Sequence, residues 1–154
     1  MRGLLARIPD VASLMPGYEA SSAQDIQGAE MNERIPINQR TVDELVQQFL
    51  ALTLAQYEAR FPSQTSRYNR LYRQMNEIRD ELKRREGDQR RALLPLINHE
   101  NAQVRLMAAS SLLTIVPDRA KRALESVRDS RIEPPSANAG FLLDGLENGS
   151  FVPK

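Results

Sequence analysis

The chain has 154 residues, 41% hydrophobic and 27% charged, with a net charge of +1 and neither cysteine nor tryptophan. That length accommodates one domain with a real core. The lack of cysteine excludes disulfides, thiol nucleophiles and thiolate metal sites, and the apolar runs are short and broken by charge, far below the roughly 18 residues that a membrane-spanning helix needs. Arg7, Pro9 and Asp10 interrupt the one leucine-bearing stretch at the start before it resembles a signal sequence, so a cytoplasmic protein is expected.

The charge is unevenly spread. Residues 1–66 carry five basic and eight acidic side chains, residues 67–91 nine and five, and residues 92–154 seven and seven, which makes the middle segment the basic one. Residues 1–40 mix small and polar side chains without a sustained period and are expected to form a flexible extension preceding a helical domain over 41–154.

From Thr41 the signals sharpen. Thr41 and Glu44 have the spacing of a capping box, and Val42, Leu45, Val46, Phe49, Leu50 and Tyr57 fall on one face of the helix it would start. Phe61-Pro62 ends that helix. A second helix is expected from Ser63 or Ser66, with Tyr68, Leu71, Tyr72, Met75, Ile78 and Leu82 in one stripe, stopping at Gly87; the two would form an antiparallel pair. Asp88 can cap a third helix through Ala92, Leu93, Leu94, Leu96 and Ile97, kinked by Pro95.

Asn101 is a good cap for a helix reaching Ile115. This helix is apolar on two sides, through Val104, Met107, Ala108, Ser111, Leu112 and Ile115 on one and Leu106, Ala109 and Leu113 on the other, which suits the middle of a stack. Pro117 fits the first turn of the next helix, with Ala120, Ala123, Leu124 and Val127 beneath an outer face of Arg119, Lys121, Arg122 and Glu125. Pro134-Pro135 predicts an extended break. A last helix from about Ser136 would bury Ala139, Leu142, Leu143 and Leu146 and close at Asn148-Gly149. No segment alternates with period two, so the expected fold is all-α, a short α-α superhelix of about six helices.

The only histidine lies in His99-Glu100-Asn101-Ala102-Gln103, one residue short of the H-E-x-x-H zinc signature. That site needs two imidazoles one turn apart within one helix, whereas Gln103 is a poor zinc ligand and Asn101 is the better helix start. No metal and no cofactor are expected. The stretch instead resembles a HEAT repeat over about residues 88–128: a kinked helix LLPLI, a polar turn NHEN, then Val104-Arg105 and Ala108-Ala109-Ser110-Ser111-Leu112. The resemblance implies that Val104, Ala108 and Leu112 pack inward and that Arg105 bonds to a neighbouring turn. More narrowly, residues 41–154 are similar to a small bacterial family of ARM/HEAT-like α-superhelical proteins, domain of unknown function 2019, through Val42-Asp43-Glu44-Leu45-Val46, the Val104-Arg105 helix, and the ending Ala139-Gly140-Phe141-Leu142-Leu143 with Gly149, Phe151 and Pro153. The resemblance implies a fold and no activity.

For catalysis, acidic pairs such as Asp80-Glu81 stand three and four residues before Lys83, Arg84 and Arg85, the spacing of ordinary helix-surface ion pairs, and neither a glycine-rich phosphate loop nor a histidine-activated serine is present. A non-catalytic protein is expected. Stacked helix pairs offer a surface that commonly holds another protein, which suggests an adaptor or a toxin-neutralising immunity protein with a partner that is itself acidic. Arg67 and Arg70 lack an acid at the favourable spacing on their N-terminal side, and with Arg90 and Arg91 they are the expected partner-binding charges. The alternative is a nucleic-acid-binding protein using the basic 67–91 segment, but at 100° per residue its cations scatter around the helix among five acids.

Overall fold

The computed structural model describes residues 35–154, and every regular element among them is helical. The chain divides at Arg40/Thr41 into two units. Of the first, the described part is a 3-10 turn at Ile37–Gln39, after which Arg40 Nε donates to the Ile35 carbonyl at 2.9 Å. The expected flexible extension otherwise lies outside the described residues.

The second unit begins with the capping box that its sequence specifies. Thr41 Oγ1 accepts from the Glu44 amide at 3.1 Å and the Glu44 carboxylate accepts from the Thr41 amide at 2.7 Å, an arrangement that contributes on the order of 1 kcal/mol. It opens α1 (Val42–Glu58), and a 3-10 turn at Pro62–Gln64 leads into α2 (Thr65–Arg84). These two pack on each other along their lengths. Their interface contains Leu45, Phe49, Leu71, Met75, Ile78 and Leu82, and within it Thr53 Oγ1 donates to Phe49 O and lies 3.2 Å from the Met75 sulfur.

After α2, Gly87 and Asp88 take left-handed backbone angles, φ +77° and +49°. The third helical segment, Gln89–Asn98, is a 3-10 helix throughout, where a kinked α-helix was expected. Pro95 disfavours the α form there: it has no amide to donate, and in an α-helix its ring collides with the carbonyl four residues back.

Asn101 then caps α3 (Ala102–Ser111), its side chain accepting from the amides of Gln103 and Val104. The helix stops four residues before Ile115. Val116 precedes Pro117 and so is driven out of the α region, to φ −135° and ψ 64°, and residues 112–116 turn the chain instead. Val104, Leu106, Ala108, Ala109 and Leu112 are all buried. With both sides covered, α3 is the central helix: it touches α1, the 3-10 helix, α4 (Pro117–Asp129) and α5 (Pro135–Asn148).

Pro134 adopts helical rather than extended angles, φ −83° and ψ −6°, and Pro135 is the first residue of α5. This helix lies against α4 and the end of α3, with less cover than its leucines suggest. Ala139 and Gly145 are buried, but Leu142, Leu143 and Leu146 are only half-buried and Phe141 is 75% exposed. Beyond Gly149 (φ +76°) the chain folds back. The Phe151 amide donates to Gly145 O at 3.0 Å, and a Cβ at position 145 would come within 2.9 Å of the Phe151 Cβ, so only glycine fits there without displacing the tail. Finally the Lys154 carbonyl accepts from Arg90 Nη1 at 2.8 Å, which ties the tail to the 3-10 helix.

Among the described residues, no helix is long and apolar enough to cross a membrane.

Candidate anion-binding groove

The four arginines expected to bind a partner do not meet. Arg67 and Arg70 stand in the first turns of α2, while Arg90 and Arg91 follow its far end, and the helix between them sets a separation on the order of 20 Å. Arg67 is half-buried and donates to Gln64 Oε1 at 2.9 Å, while Arg70 and Arg91 are exposed.

Arg90 is not available to a partner. It is 3% exposed, with its guanidinium bonded to Asp88 at 2.6 and 2.9 Å, to Thr114 Oγ1 at 3.1 Å and to the Lys154 carbonyl. The bonds from Arg90 hold the Asp88 carboxyl below the usual carboxylate range, against its partial burial. Its acid lies two residues before it, brought close by the left-handed turn at Asp88, a spacing at which side chains on a helix never face each other.

A second group of arginines converges elsewhere. The turn between the 3-10 helix and α3 is knit by His99 Nδ1, which accepts from the Asn101 amide at 3.0 Å, and by Arg105, whose Nη1 donates to the carbonyls of His99 (2.9 Å) and Glu100 (3.0 Å). The imidazole is therefore neutral and engaged with the backbone. Burial pushes its pKa down, with Arg105 adding to the effect and Glu100 opposing it. Arg105 is thereby fixed by one nitrogen, and its Nε is buried without a partner.

From this turn a groove of about 520 Å³ runs along α4, lined by Ile97, Asn98, Arg105, Arg119, Arg122, Ala123 and Ser126. The four α4 residues follow the i, i+3, i+4, i+7 spacing of a single helix face. Ala123 is small enough to leave space at its centre, and α4 touches the 3-10 helix only lightly, so the gap between them stays open. No carboxylate lines it. Asp118 and Glu125 flank Arg122 on α4 at spacings of four and three, yet among the described residues neither Arg119 nor Arg122 forms an ion pair. Three guanidinium groups, one carboxamide and one hydroxyl thus face a space of ligand size, which is a donor set for oxyanions.

The basic segment that stood out in the sequence is largely self-neutralised. Glu81 accepts from Arg84 at 2.8 Å and from Arg85 at 3.1 Å, and Arg79 pairs with Asp80 at 3.2 Å. The bond from Arg84, joined by that from Arg85, lowers the Glu81 pKa despite its burial. The sequence pattern places Arg119 and Arg122 on an outer helix face and Arg105 on the preceding helix, bonded to a neighbouring turn, without bringing them together. The signal that could have found them is Arg119, Arg122, Ala123 and Ser126 on one face, but its opposite wall depends on tertiary packing.

A family model described as domain of unknown function, DUF2019, matches residues 43–147. The chain belongs to the DUF2019 family. That match contains nearly all of α1 and α5, all of α2 to α4, and the whole groove. The DUF2019 chain is also similar to a crystal structure of the protein RPA1889 from Rhodopseudomonas palustris CGA009, at 44% identity and a TM-score of 0.74, over 78% of this chain and 99% of that one. No curated protein matches it.

Proposed function

We propose that this DUF2019 domain is a non-catalytic binding module, a HEAT-like helical array that holds an acidic segment of a partner protein in the groove between the 3-10 helix and α4. The observation that carries this reading is the convergence of Arg105, Arg119 and Arg122 on one acid-free groove. Guanidinium groups bind carboxylates through paired, charge-assisted hydrogen bonds, and a groove of this volume admits a short peptide segment. The pairing of Arg79, Arg84, Arg85 and Arg90 with acids on their own surface argues against a continuous phosphate-tracking stripe over residues 67–91, and so against nucleic acid as the partner.

The test uses the immobilised full chain and its Arg119→Glu/Arg122→Glu variant, each exposed to nuclease-treated extract of the native host. A protein retained by the first and lost from the second supports the reading. Equal retention on both overturns it, as does capture that nuclease treatment abolishes.

A further inference from the structure

Resting on that reading, we infer that the groove recognises an extended peptide carrying two carboxylates in an acid-x-acid arrangement, with Arg119 and Arg122 each taking one carboxylate and Arg105 supplying a fixed charge at the inner end. Spacing leads to this pattern. Side chains three apart on a helix leave it about 5–6 Å from each other, and in an extended peptide the side chains two residues apart emerge on the same side, separated by about 6.5–7 Å. Adjacent acids on such a peptide point to opposite sides, so only one of them can enter.

The remaining lining groups fit the same occupant. Asn98 and Ser126 stand among the lining residues as neutral donors and acceptors, suited to the backbone amides and carbonyls of an extended segment. The inner end is rigid because the Nη1 of Arg105 is already held by two carbonyls, so binding costs that side chain little rotamer freedom. Its buried, unpartnered Nε leaves one donor unsatisfied near the same end. A single carboxylate would leave two guanidinium groups unanswered, and the groove is far larger than one oxyanion.

The experiment titrates the full chain with capped fluorescent heptapeptides: Gly-Gly-Asp-Ala-Asp-Gly-Gly, the same residues rearranged to put the two Asp together, and a version with one Asp replaced by Asn. Single-stranded and duplex oligonucleotides serve as competitors. Tighter binding of the first peptide by about tenfold over the other two, weakening with salt and lost in Arg119→Gln/Arg122→Gln but kept in Arg70→Gln/Arg73→Gln, is the expected result. Equal binding of all three peptides, no binding of any, or displacement by oligonucleotide at lower concentration than by peptide overturns the inference. If the peptides fail while a host protein is still captured by the wild type and lost from the Glu variant, the acid-x-acid assignment falls and the binding-module reading stands.

Discussion

Two arginine-bearing regions of this domain behave oppositely. The stretch from Arg67 to Arg91 is the most basic in the chain, yet much of its charge is spent locally: Glu81 holds two arginines, Asp80 one, and Asp88 draws Arg90 into the core. The groove contains only three arginines, drawn from two helices 14 residues apart in sequence between Arg105 and Arg119, and no acid faces them. Density of charge along a sequence and availability of charge to a partner are therefore different quantities. Availability depends on which acids the fold brings near, and in a helix that is decided within four residues on either side.

The sharpest way to break this contrast is to substitute neighbouring arginines of the basic stretch. Arg90→Ala removes the partner of Asp88 and strips hydrogen bonds from Thr114 and the tail, and should cost about 3 kcal/mol, toward the lower end for a buried pair because Asp88 remains partly solvated. Arg91→Ala, on an exposed side chain, should change stability by less than about 0.5 kcal/mol. Chemical denaturation of both variants checks the difference, and equal losses would refute the burial of Arg90.

Charge reversal of the groove gives the next effect. Arg119→Glu/Arg122→Glu should reduce partner binding at least tenfold, equivalent to about 1.4 kcal/mol, with the thermal midpoint nearly unchanged because both side chains are exposed and unpaired. The same reversal at Arg70 and Arg73 should leave binding close to wild type. Binding isotherms for the two double variants, paired with melting curves, decide whether the groove or the basic helix is the contact surface.

The paired side of the comparison is sharpened by pH. The pKa of Glu81 is lowered in the folded protein from the usual 4.5, so its ion pairs add stability above that value, and the contribution disappears as pH falls through 4.5 and on through the folded pKa. Glu81→Gln should therefore be less stable than wild type at pH 7, by about 1 kcal/mol, and the two should converge in acid. Denaturant midpoints measured from pH 7 to pH 3 trace this.

His99 should give the smallest effect, with the opposite consequence of a lowered pKa. Below its usual 6.5 the unfolded chain takes up a proton that the folded chain resists, so stability declines as pH falls from 6.5 to the folded pKa and then levels. His99→Asn should flatten that slope in melting curves recorded between pH 7.5 and pH 5.

Much of the fold was legible in the sequence because its signals are local. Thr41 with Glu44 and Asn101 before Gln103 mark helix starts through bonds that span at most three residues, and Gly149 after Asn148 marks an end by its left-handed backbone. The double-sided apolar pattern of residues 104–113 identified the central helix for a similar reason, since burial on two faces needs neighbours on two sides. What escaped depends on distant partners. Gln56 and Gln103 are both buried and joined amide to amide at 2.8 Å across 47 positions, a pairing that no local pattern announces. The exposure of α5 followed from its place at the edge of the array, which its own leucines do not reveal. Arg90 looked free because its acid is presented by a left-handed turn instead of by a helix, and the groove took shape only when α4 came to lie beside the 3-10 helix.

The bond from Arg90 to Lys154 spans 64 positions. With it, the 3-10 helix, α3, α4, α5 and the returning tail form a closed circuit instead of an open row, and in a circuit no joint can open alone. Widening the space between the 3-10 helix and α4 would have to stretch the tail bond or shift the packing of α5, so the groove's width is governed partly by a contact that does not line it. Mechanically, the tail is a tie rod, joining the start of the 3-10 helix to the end of the array.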